Sequence, residues 1–235
     1  MVDFPQHDIS TLPLFTREKS RILVISSAKA SDKAVSDIRR ELLLAKQGKQ
    51  FAGNHRLKDF QFVGFGVKTR GRKYPSDTRT PVLIQVATFS TAYLFRLQYD
   101  KNLNMKRNDT SPMTMSLRCL LSDWSIIKVG DNVRSDVAAL NRKYGDNCCG
   151  DGTSFLDLES LAQQRWPKVQ SLGLGNLTAT VLHHKLCFFR QPPNWYLRKL
   201  SQPMEAYAAA EVFVALDLLA IIVALFDGYC INPTT

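Results

Sequence analysis

Phe62-Val63-Gly64-Phe65-Gly66-Val67-Lys68 reads as an interior β-strand. Its phenylalanines and valines favour extended backbone and burial. Gly64 and Gly66 weaken such a strand unless another backbone must approach closely or a side chain has been removed. Lys68 and the basic residues behind it, Arg70, Arg72 and Lys73, make its far end cationic.

Outward from this strand the chain alternates between strand and helix patterns. Residues 21–25 form a short strand, and Ser31-Asp32 offers an N-cap for a helix carrying Ala34, Val35, Ile38, Leu42 and Leu43. Residues 82–88 and 92–97 are two more strands, separated by an interval short enough for a hairpin. Residues 48–58 are a basic loop and 98–112 an exposed insertion, followed by a short helix at 116–121. Residues 126–130 form a strand and 133–144 a helix ended by Gly145; helices are expected at 155–166 and 174–182. A long helix at 203–225 has Pro203 in its first turn and Gly228 beyond its end. The pattern predicts an α/β fold with a mixed central sheet flanked by helices. It runs as one domain over residues 21–228, with an N-terminal arm at 1–20 and a tail at 229–235.

The formal charge of +10 comes from 31 Lys and Arg against 21 Asp and Glu. Such a surplus suits a polyanionic partner, because each phosphate contact releases counterions. The five cysteines include no Cys-x-x-Cys pair, so neither a zinc site nor a disulfide framework is signalled. The first ten residues lack a secretory pattern. The apolar stretch at 212–226 is interrupted by Asp217 and reads as too short for a bilayer span. An intracellular protein, cytoplasmic or nuclear, without a membrane partner is expected.

Three places concentrate ionisable groups near element ends. Asp131 and Asp136 flank the start of the helix at 133–144. Tyr207 and Glu211 lie four apart on one face of the last helix, with Asp217 about two turns on. Asp157 and Glu159 open a third helix, where carboxylates suit the positive dipole end. Converging carboxylates would make the oxygen-rich cage that divalent metals need for phosphodiester hydrolysis. An acid in the first turn of a helix is more often a partner of the dipole than a metal ligand. His183-His184 read as solvated or partly packed, Cys148-Cys149 lie in a loop, and no serine-hydrolase signature is present.

In this order the pieces resemble the DEDD-type 3′–5′ exonuclease family, specifically its tyrosine-bearing branch, which includes ribonuclease D and the Werner helicase exonuclease domain. Residues 63–68 followed by Val82-Leu83-Ile84-Gln85-Val86 are similar to the first motif, Gly-Phe-Asp-x-Glu and then Leu-Ile-Gln. Lys128-Val129-Gly130 through Ser135-Asp136 is similar to the second, and Tyr207-Ala208-Ala209-Ala210-Glu211 to the third, Tyr-Ala-Ala-x-Asp. The resemblance implies a ribonuclease H-like exonuclease fold and places Asp136, Tyr207 and Glu211 in the active-site cleft. It also implies that two metal-binding carboxylates of the first motif are replaced, one by Gly66 and the other by Lys68. An intact site offers about −4 to two divalent ions, whereas this one offers about −2 and a lysine.

The expectation is therefore a catalytically degenerate exonuclease-like domain that binds nucleic acid, with RNA as the expected class and no cofactor. Lys68, Arg70, Arg72, Lys73 and Arg79, with the basic tract at 46–58, would hold phosphates, while Tyr74, Trp195 and Tyr196 would stack bases or lie partly buried. Lys68 is expected to ion-pair with Asp136 or Glu211 where a metal would sit. The alternatives are an active exonuclease in which Asp136 and Glu211 hold Mg²⁺ or Mn²⁺, and a protein–protein scaffold in an RNA-processing complex. A different register of the first strand would bring Asp59 or Asp77 into play instead.

Overall fold

The computed structural model describes residues 9–47, 60–70, 80–97, 112–167, 173–187 and 194–224. Its elements in chain order are β1 (Arg21–Ile25), α1 (Ala28–Gln47), β2 (Gln61–Thr69), β3 (Pro81–Ala87), β4 (Thr91–Arg96), α2 (Met115–Ser122), β5 (Ile126–Gly130), α3 (Val133–Tyr144), β6 (Phe155–Asp157), α4 (Leu158–Arg165), α5 (Leu174–Leu182) and α6 (Gln202–Ala224). The strands make one sheet in the order β1-β4-β3-β2-β5-β6. β3 is antiparallel to both β2 and β4, whereas the β1–β4, β2–β5 and β5–β6 pairs are parallel. This is the mixed α/β sheet that the hydrophobic pattern predicts.

Helices cover both faces, so the central strands are buried on each side and read as continuous apolar runs. Side chains of β2 alternate between the faces. Val63, Phe65 and Val67 join a core with residues of α1, α2 and α3. Phe62 points the other way, into a core built largely on α4, α5 and α6. Gly64 shares that second face, and a Cβ there would lie 2.0 Å from the Val212 carbonyl oxygen. The backbone of α6 thus rests directly on β2, which is the close approach that a glycine permits.

Two expected boundaries shift. α1 begins at Ala28, because Ser27 rather than Ser31 caps it: the Ala30 N–H donates to Ser27 Oγ at 3.3 Å. Ser31 is buried inside the helix and donates its hydroxyl to the Pro112 carbonyl at 2.6 Å. Residues 155–157 extend the sheet beside β5 instead of starting a helix, and Asp157, in extended conformation, caps α4 through the Ser160 N–H at 3.0 Å. The same carboxylate accepts the Val133 N–H at 3.1 Å, so Asp157 ties together the starts of α3 and α4.

The described part of the arm is pinned to the body. Phe15 N–H donates to the Lys185 carbonyl at 2.8 Å, and Arg17 pairs with Asp217 at 3.1 Å. Asp217 is thereby engaged by the arm and does not line the cleft described below. α6 has 23 residues, the length its sequence pattern predicts, and as a whole helix it is, by length and composition, apolar enough to cross a membrane, unlike the stretch at 212–226 taken alone. Most of it is buried against the sheet, α4 and α5. Lys128 on β5 is fully buried and gives its three N–H donors to Asp123 O, Ile126 O and Ser154 Oγ at 2.6–2.8 Å. Burial pushes its ammonium down to about 7.

Candidate functional site

A cleft of about 500 Å³ opens at the C-terminal ends of β2 and β5. The end of β2 forms its floor, Gly130 to Asn132 and the first turn of α3 form one side, and Tyr207 and Glu211 of α6 the other. The start of α5 closes the remaining edge. Strand pairing places Gly66 opposite Gln85 and Lys68 opposite Leu83. Gly66 and Lys68 thus lie on the same face as Gly64, toward α6.

Lys68 reaches across the cleft to Glu211. Its Nζ lies 2.6 Å from Oε1 and 2.5 Å from Oε2 of that carboxylate, with the two side chains 19% and 15% exposed. The ammonium also stands over two rings, 5.1 Å from the Tyr207 centroid and 5.4 Å from that of Trp195. These rings stack on each other at 6.2 Å with 26° between their planes. A cation against aromatic faces gains from the ring quadrupole, and more so when partly desolvated.

Gln85 is the second partner of Glu211. Its amide donates to Glu211 Oε2 at 3.0 Å and to the Ala208 carbonyl at 2.6 Å. No role was assigned to Gln85 from sequence, although a lone amide in the apolar run of β3 is itself a signal, since a buried polar group needs partners. Burial first, then the charge of Glu211, raises the Tyr207 phenol above its ordinary range, and Glu211 is also its hydrogen-bond partner.

Asp136 comes from the first turn of α3. Its Oδ2 accepts the Val67 N–H at 2.8 Å, beyond the point where β2 leaves β5. Burial raises its carboxyl to about 7, against the lowering effects of that amide and of Lys68. Asp131, at the end of β5, is raised to about 6 by burial and by Asp157, while the Leu174 amide acts to lower it. Among the described residues no group of three or more His, Cys, Asp or Glu is arranged to hold a metal ion.

The structure therefore brings Gly66, Lys68, Asp136, Tyr207 and Glu211 into one cleft. Glu159 does not line it. Trp195 is only 8% exposed and backs Tyr207, whereas Tyr196 is half-exposed with the Arg70 guanidinium 4.6 Å above its ring centroid. Arg72, Lys73, Tyr74, Arg79, Asp59 and Asp77 lie outside the described residues, as do the side chains of the tract at 46–58.

A family model of 3′–5′ exonucleases matches residues 53–225. The structure is similar to the exonuclease domain of Aedes aegypti Nibbler, with a TM-score of 0.65 at 16% identity over 94% of this chain and 95% of that one. It is also similar to Escherichia coli RNase D, an exoribonuclease involved in structured RNA processing, with a TM-score of 0.60 at 18% identity over 87% of this chain and 44% of that one. Brucella melitensis NrnC bound to pGG gives a TM-score of 0.53 at 20% identity over 73% of this chain and 76% of that one. No curated protein sequence matches the chain. With most of the chain matched by the family model, and with the ribonuclease H-like sheet in place, the chain belongs to the DEDD-type 3′–5′ exonuclease domain family.

Proposed function

We propose that this domain binds single-stranded nucleic acid, RNA foremost, and does not cut it. The observation that carries this reading is the Lys68 ammonium seated on the Glu211 carboxylate inside the cleft. A two-metal phosphodiesterase needs ions about 3.5–4 Å apart, bridged and balanced by several carboxylates. The residues here do not fit that group. Gly66 contributes no oxygen, Glu211 is neutralised by Lys68, and Asp136 is engaged by a backbone amide. A cation brought within 4 Å of the lysine would meet a repulsion of about 4 kcal/mol per unit charge at an effective dielectric of 20.

Binding is supported by different features. The net charge is +10, the cleft is lined by Lys68 and Tyr207, and Arg70 stacks on Tyr196 next to Trp195, which backs Tyr207. The similar structures include one bound to pGG and one described as processing structured RNA. In this reading Lys68 replaces the metal electrostatically, holding α6 against β2 without an ion.

The decisive experiment incubates the protein with a 3′-labelled single-stranded oligonucleotide in Mg²⁺, Mn²⁺ or EDTA. Expected is unchanged substrate in all three, with equal binding in each. Metal-dependent loss of 3′ nucleotides that Asp136→Ala abolishes would instead establish an active exonuclease with a reduced ligand set. A flat binding isotherm for RNA and DNA at low salt would point to a protein–protein scaffold.

A further inference from the structure

Beside the cleft, on the Lys68 and Tyr207 side, the chain from 194 to 200 forms a wall with its own internal support. The Asn194 side chain accepts the Tyr196 N–H at 3.0 Å, which fixes the turn. Trp195 and Leu200 are buried together with Val82, Leu83, Leu94, Met204 and Ala208. Arg96, 4% exposed on β4, forks its guanidinium to the carbonyls of Leu197 and Arg198. These contacts leave Arg198 and Lys199 exposed and Tyr196 half-exposed. Arg70, one residue past the end of β2, completes the edge by stacking on Tyr196 at 4.6 Å, with its backbone N–H fixed to the Thr80 carbonyl at 2.8 Å.

A buried arginine spent on two backbone carbonyls is an expensive way to shape a loop, since its charge must be desolvated. What it holds in place is a short exposed run of aromatic, cation, cation beside a stacked arginine. We propose that Arg70, Tyr196, Arg198 and Lys199 form a preorganised rim that grips a single-stranded nucleic acid where it enters the cleft. Arg198 and Lys199 take consecutive phosphates, and a base stacks on the Arg70–Tyr196 pair. Single strands fit this chemistry because only their unpaired bases offer a free face to such a platform. Fixing the rim before binding reduces the ordering entropy that a mobile loop would lose. The inference rests on the binding reading above and names the residues responsible.

The test measures fluorescence anisotropy of a short labelled oligouridylate across a salt series, with the full chain. Each phosphate contact to a single strand contributes about 0.7 to the slope of log K against log salt. Arg198→Ala/Lys199→Ala is expected to lower that slope by about 1.4 and to weaken binding roughly tenfold at low salt. Tyr196→Ala should weaken binding roughly tenfold without changing the slope, and Tyr196→Phe should restore it. Arg142→Ala/Lys143→Ala, an equal charge change at the exposed far end of α3, should leave the slope unchanged. The rim is overturned if the wild type binds but the rim variants match it, or if the α3 pair lowers the slope equally. If the wild type itself does not bind, the nucleic-acid reading fails, and the rim with it.

Discussion

Gly64 and Gly66 stand two residues apart on the same face of β2, and they are glycines for opposite reasons. A Cβ on Gly64 would collide with the Val212 carbonyl oxygen at 2.0 Å, a backbone atom of α6 that cannot give way. A Cβ on Gly66 would meet Gln85 Oε1 at 3.0 Å and Val212 Cγ1 at 3.8 Å, the first being the end of a flexible side chain. The first glycine is required by packing. The second is bounded by side chains alone, with Gln85 nearest. Within one strand the two glycines therefore differ: Gly64 lets the helix seat on β2, while Gly66, on the reading proposed above, stands where a carboxylate would face the cleft.

The largest effect should come from Gly64→Ala. The helix must move off the sheet or the strand must bend, and overpacking of this kind costs about 3 kcal/mol or more. Urea denaturation measures it directly. A loss below about 1 kcal/mol would mean that α6 sits farther from β2 than the structure places it.

Gly66→Asp/Lys68→Glu tests the other glycine from the cleft side. The pair introduces two carboxylates and removes the ammonium, so on the reading proposed above the variant should bind Mn²⁺ and the wild type should not. At hundredfold excess over the dissociation constant, bound metal stabilises by about 2.7 kcal/mol. That amounts to a melting-temperature rise of several degrees for a chain of this size, roughly 2–4 °C per kcal/mol. A wild-type protein that shows the same Mn²⁺-dependent shift would remove Lys68 as the obstacle.

Lys68→Met isolates the ion pair. Glu211 would keep Gln85 as a donor but lose its charge partner. Breaking a fully buried pair costs 3–5 kcal/mol, and because these side chains are 19% and 15% exposed, about 2 kcal/mol is expected. Glu211→Gln added to Lys68→Met should recover most of it, since no charge is then left unpaired. Failure of that rescue would show that Lys68 acts through its packing on Trp195 and Tyr207 instead.

How much of this was legible in the sequence follows from what each signal depends on. The sheet was readable because β2, β3 and β5 are short, mostly apolar runs rich in β-branched and aromatic residues, too short for helices of their own. The convergence of Asp136, Tyr207 and Glu211 was readable through the order of motifs, not through any residue alone. Three things were not. The cap at Ser27 lost to the equally plausible Ser31, because Ser31's buried partner is the Pro112 carbonyl, 81 residues away. β6 was read as helix because a three-residue strand gains its identity only from the edge of β5. The fork of Arg96 onto the 194–200 wall depends on a tertiary contact across about a hundred residues, which no local pattern encodes.

The smallest expected effect is also the sharpest test of the comparison. Gly66→Ala puts a methyl group where Gln85 now leans, on a backbone that does not need a positive φ. Fewer unfolded conformations should stabilise the chain by about 0.4–1 kcal/mol. Against that stands the 3.0 Å contact with Gln85 Oε1, which must shift by a few tenths of an ångström. Gln85 is held by Ala208 O and Glu211 through its amide nitrogen, and because the amide is rigid and planar its carbonyl oxygen can yield only by a small pivot of the whole group about those bonds. The two effects nearly cancel, and the net change should stay within about 1 kcal/mol, with oligonucleotide affinity altered less than about twofold. A loss approaching that of Gly64→Ala would mean that Gln85 is locked and that Gly66 is a packing glycine too. The missing-carboxylate reading of β2 would then have no structural support at the position where it matters most.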